Sequence, residues 1–81
     1  MIVLYEVQLR ARHPSTLQPP AYAVTALQLA QADHGTYYIL HLDAQQQIVG
    51  DSWHATLQSA LDHAHEMFGV NGEEWMRPAP R

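Results

Sequence analysis

Thr56-Leu57-Gln58-Ser59-Ala60-Leu61-Asp62-His63-Ala64-His65-Glu66-Met67-Phe68-Gly69 is the stretch on which the fold turns. Leu57, Ala60, Leu61, Ala64 and Phe68 recur at helical spacing and make one apolar stripe, which predicts an α-helix over 56–68. Its ends are marked. Thr56 can cap the first turn with its hydroxyl, and Gly69 can take the left-handed conformation after the last, folding Val70 back onto the apolar face. Such a helix needs a sheet or another helix to cover its stripe, and the rest of the chain reads as strands.

Upstream, Val3, Tyr5, Val7, Leu9 and Ala11 alternate with Glu6, Gln8, Arg10 and Arg12, the period of a half-buried strand over about 2–12. His13-Pro14-Ser15-Thr16-Leu17-Gln18-Pro19-Pro20 holds three of the five prolines and reads as a loop. The stretch 22–32 fits either element: Ala23, Ala26, Leu27 and Ala30 would share a helical face, while Leu27-Gln28-Leu29 alternates. A strand over 22–31 is preferred, because Asp33-His34-Gly35 is turn chemistry and leads into Thr36-Tyr37-Tyr38-Ile39-Leu40-His41-Leu42, rich in β-branched and aromatic residues. Asp43-Ala44-Gln45-Gln46-Gln47 closes a second hairpin into a strand over 48–53. The expected architecture is α+β: a four-stranded antiparallel β-meander with one α-helix packed across one face. One domain spans 1–76, with a helical turn near Glu73-Glu74-Trp75-Met76 laying Trp75 on the body, and 77–81 form an extended C-terminal tail.

Composition narrows the function classes. The 81 residues carry four arginines, no lysine and eight acids, for a net charge of −4. Arg10, Arg12, Arg77 and Arg81 do not form the clustered basic face that phosphate neutralisation requires, so no nucleic-acid partner is expected. The absence of cysteine removes disulfides and thiolate chemistry and favours a reducing, cytoplasmic setting. The N-terminal residues lack a signal-peptide pattern and no apolar run reaches ~20 residues, so no membrane partner and no processing are expected.

From Asp51-Ser52-Trp53-His54-Ala55-Thr56-Leu57 through Ala60, Ala64, Phe68-Gly69-Val70 and Glu74-Trp75, the chain resembles a group of short hypothetical bacterial proteins. That resemblance covers roughly a third of the chain and implies a small β-meander crossed by one helix; it carries no activity. His63 and His65 depart from the mostly acidic helix face of that group.

Six histidines are the compositional oddity, and imidazole is a common metal ligand. His63 and His65 are nevertheless two residues apart, about 200 degrees around a helix, and cannot grip one ion. Partial sites from His65 with Glu66, or Asp62 with Glu66, would need another chain. Both histidines therefore read as solvated, with no metal and no cofactor expected. Trp53 and His54 sit where the last strand meets the helix. There His54 could serve as a general base, or Trp53 could plug the sheet edge while His54 bonds to backbone near the helix start. Ser15, Ser52 and Ser59 lie in no nucleophile elbow, and Gly35, Gly50, Gly69 and Gly72 stand isolated, so no phosphate loop is present.

Tyr37, Ile39 and His41 form a stripe on one face of the third strand, opposite Tyr38, Leu40 and Leu42. A helix over the latter face would leave that stripe open as a binding surface; alternatively it packs against the segment around Trp75. The reading that follows is a non-enzymatic binding or regulatory module acting through protein–protein contact, a homodimer or a complex with another protein. Its candidate surface is Tyr37, Ile39, His41, Trp53 and His54. The alternatives are a histidine-based metal-binding protein and a small hydrolase centred on His54.

Overall fold

In the computed structural model, which describes residues 1–9 and 24–78, the alternating stretches pair as four antiparallel strands in chain order. They are β1 (Ile2–Gln8), β2 (Ala26–Gln31), β3 (Tyr37–Leu42) and β4 (Ile48–His54), followed by helix α1 (Leu57–Phe68) and a short 3-10 turn, Gly72–Glu74. The fold is the α+β meander expected, and residues 26–31 are strand rather than helix. Leu9 continues β1 with one bond to Thr25, its N–H donating to that carbonyl at 2.9 Å. The expected extension to Arg12, the proline loop, the start of β2 at Tyr22 and the last tail residues, 79–81, lie outside the described residues.

Local chemistry explains each connection. Gly35 takes φ +88°, a conformation costly for any residue with a Cβ, and lets its N–H donate to the Ala32 carbonyl at 2.9 Å. In the second hairpin the Asp43 carboxylate accepts from the N–H groups of Gln45 and Gln47, each at 2.9 Å, and Gln46 is held at φ 63°. The helix ends where its caps stand. Thr56 Oγ1 accepts from the Ser59 N–H at 3.1 Å, and at Gly69, φ 70°, the chain reverses so that the Val70 N–H reaches the Ala64 carbonyl at 3.3 Å. Among the described residues no helix is long and apolar enough to cross a membrane.

Register decides which face the helix covers. Across the sheet, Tyr5, Leu29, Ile39 and Ser52 stand in one row, Val7, Leu27, His41 and Gly50 in the next, and Gln31, Tyr37 and His54 in a third. These rows face α1: Val7, Leu27, Leu29 and Ile39 form one buried cluster with Ala60, Ala64, Phe68 and Val70, with Tyr37 and Trp75 packed against it. Of the two readings of Tyr37, Ile39 and His41, the open stripe is therefore corrected, and the covered face has α1 over it with Trp75 packed on the same cluster. Ile39 is fully buried, at 0% exposure, beneath the helix. The physical reason is summed apolar area: β2 contributes Leu27 and Leu29 to this side but only Ala26, Gln28 and Ala30 to the other.

After the 3-10 turn, Trp75 packs on the core, and Met76 pairs with Glu6 by two backbone bonds of 2.8 and 2.9 Å. That bridge occupies part of the outer edge of β1, whereas among the described residues β4 is hydrogen-bonded to β3 alone.

Candidate functional site

Strand alternation divides the end of β4. Ser52 and His54 point toward α1 and Trp53 points away, beside Tyr38 of β3. Trp53 is 57% exposed, while His54 is buried at 8%. Burying an imidazole requires hydrogen-bond partners, and two serines supply them. Ser52 Oγ lies 2.9 Å from His54 Nε2, and Ser59 Oγ, in the first turn of α1, lies 3.4 Å from Nδ1. The expected bond from His54 to the backbone near the helix start is replaced by these hydroxyls.

One turn beyond Ser59, His63 lies on the same side of α1, and its ring sits 4.8 Å from that of His54, tilted by 50°. His63 is half-buried, which corrects the reading of both helix histidines as solvated; His65 is exposed. His41, from the neighbouring row, meets Phe68 edge-on at 5.2 Å and 70°. Its Nε2 is buried without a hydrogen-bond partner among the described residues. Burial, and then the neighbouring His63, hold the pKa of His54 below its ordinary value. The same two causes lower His41, with Asp51 pulling weakly the other way. Both rings are neutral at neutral pH.

What this cluster can do chemically follows from its engagements. A serine hydroxyl 2.9 Å from a neutral imidazole has the spacing of a nucleophile and its base. Here, however, both ring nitrogens are committed to serines, and Ser52 lies in a strand packed under the helix rather than on a turn. Among the described residues no three histidine, aspartate or glutamate side chains are grouped to hold a metal ion. A shallow cleft of about 230 Å³ lies elsewhere, between Tyr5, Leu57, Leu61, Gly72 and Trp75, and includes neither Ser52 nor His54. That volume is below the range of roughly 300–1,000 Å³ usual for small-molecule sites.

Of the five residues expected to form a surface, only Trp53 is largely exposed, accompanied on the same strand by Ile48 at 59%. Tyr37, Ile39, His41 and His54 belong to the helix-facing side. Ser52, Ser59 and His63 are site residues that the sequence reading weighed and set aside, the serines for lack of a nucleophile elbow and His63 as solvated. The four-residue step from Ser59 to His63 was the signal available, because it places both on the helix side that follows His54 in the chain. No protein-family model, curated protein or solved structure matches this chain, so neither the bacterial resemblance nor any relative assigns it a chemistry.

Proposed function

We propose that this chain is a small non-enzymatic binding module that acts through protein–protein contact along the outer edge of β4, with a second copy of the chain as first occupant. One observation carries the reading. Among the described residues β4 bonds to β3 on one side only and presents Trp53 and Ile48 to solvent, whereas the outer edge of β1 is bridged by Met76. An edge strand offers unpaired backbone donors and acceptors, and proteins that avoid pairing block such edges with lysine or proline. β4, Ile-Val-Gly-Asp-Ser-Trp-His, has neither. Burying the exposed half of a tryptophan, about 100 Å², contributes on the order of 2–3 kcal/mol before association costs. A net charge of −4 is too small to forbid pairing, and a domain of 81 residues gains buried surface by it.

The test is sedimentation of the wild-type chain at about 100 micromolar, where even weak association registers. A dimer is expected, and Trp53→Lys or Ile48→Lys should convert it to monomer with the helical circular dichroism unchanged. A wild-type monomer at that concentration, or a dimer indifferent to both lysines, would sink the assignment to this edge. Charges placed at Tyr37 or Ile39 do not test it, because those side chains lie beneath α1.

A further inference from the structure

Three of the six histidines lie where α1 crosses the sheet: His54 of β4 and His63 of α1 meet ring to ring, and His41 of β3 packs against Phe68 farther along the same helix. We propose that they form an acid-released clasp, which holds α1 against β3 and β4 while the rings are neutral and loosens it when they take up protons. The proposal is independent of the β4 edge contact.

The geometry supplies the mechanism. Ala60 and Ala64 are completely buried, so the helix backbone rides close to the sheet beside these rings. His54 is bonded at both nitrogens to serine hydroxyls, a set that neutral imidazole satisfies by donating from one nitrogen and accepting at the other. A protonated ring only donates, so one serine must turn its own hydrogen away. His63 stands 4.8 Å from that ring, and two imidazolium ions at this distance repel across a poorly hydrated gap. A charge on the His63 ring therefore raises the cost of protonating His54.

The surrounding charges do not offset this. Facing His54 are Tyr37, directly opposite on β3, the two serines and His63. Facing His41 are Phe68 and His63, with Asp51 of β4 the acid that favours its charge; that carboxylate is exposed, and burial outweighs it. On α1 itself, Asp62 accepts from Gln58 Nε2 at 2.9 Å, and Glu66 lies one turn beyond His63 in solvent. Among the described residues no buried carboxylate neutralises the three rings.

The sign follows from linkage. His41 and His54 are lowered from 6.5 in the folded chain, so the unfolded chain binds more protons as the pH falls through that value. The clasp is at full strength above about pH 6.5, weakens as the pH drops below it, and stops losing strength below the folded-state pKa values.

The test is a thermal melt at about pH 7.5 and about pH 5, paired with nuclear magnetic resonance of the α1 amides and imidazole protons. The wild-type Tm should fall by at least about 4–8 °C, and the amides of Ala60 and Ala64 should shift in step with the His54 ring protons. His63→Gln should reduce the Tm loss, and His54→Gln with His63→Gln should at least halve it. If the double variant does not fold, the single variant and the wild-type amide titration decide the matter. A flat wild-type Tm, α1 amides unmoved through the His54 titration, or a loss identical in wild type and His63→Gln would overturn the proposal.

Discussion

Replacing Phe68 by alanine tests the helix–sheet packing more sharply than any other truncation, because Phe68 closes the apolar stripe at the end of α1. Its side chain is buried at 7% exposure, belongs to the core cluster with Ile39 and Leu27, and meets the His41 ring edge-on. Deleting a buried phenylalanine side chain costs about 3–5 kcal/mol through lost transfer energy and the cavity left behind. The lost ring pair accounts for about 0.5–1.5 kcal/mol within that total. The whole domain is worth on the order of 4–12 kcal/mol at this length, so the variant should fold marginally. Leu61→Ala is the internal comparison. Leu61 is on the same stripe but half-buried beside the cleft, and its truncation should cost only about 1–2 kcal/mol. Urea melts read both: at a slope near 1 kcal/mol per molar, the midpoint should drop by about 3–5 M for Phe68→Ala and by about 1–2 M for Leu61→Ala. Phe68→Ala should also raise the pKa of His41 toward its ordinary value, since burial is the main cause of its depression. A cost below about 1 kcal/mol for Phe68→Ala, or equal costs for the two variants, would refute this account of the packing.

Substituting His41→Phe removes a buried nitrogen that has no partner among the described residues while keeping a ring against Phe68. It should raise stability by about 1 kcal/mol in urea melts and flatten the decline below pH 6.5. Thr56→Ala deletes the hydroxyl that accepts from Ser59 and should cost about 1 kcal/mol, read as a Tm decrease of about 4–8 °C. At Gln46, held at φ 63°, glycine relieves a left-handed strain of about 1–2 kcal/mol against a flexibility cost of about 0.5–1 kcal/mol. Gln46→Gly should therefore be neutral to mildly stabilising, checked by the same melts. Gly69→Ala, at φ 70°, should destabilise by about 1 kcal/mol in a thermal melt.

The local elements were legible in the sequence because their causes are local. The stripe from Leu57 to Phe68, the Thr56 cap, the reversal at Gly69 and the turn at Gly35 each depend on residues within a few positions of one another. The strand at 26–31, ambiguous by periodicity alone, was settled by the turn and the aromatic strand that follow it. What only the tertiary structure decided is which side of the sheet α1 covers. Alternation gives every strand two faces, and β3 taken alone favours the wrong one, since Tyr38, Leu40 and Leu42 look more apolar than Tyr37, Ile39 and His41. The choice belongs to rows that run across strands, and those rows exist only once register sets Leu29 beside Ile39 and Leu27 beside His41. The candidate site follows the same division. The strand–helix junction at Trp53 and His54 was visible as a place where alternation gives way to helical spacing. The ring of His63 over His54, and the bridge between Glu6 and Met76 that leaves β4 as the unbridged edge, required the folded chain, because each joins residues on different elements whose distance is set by packing rather than by spacing.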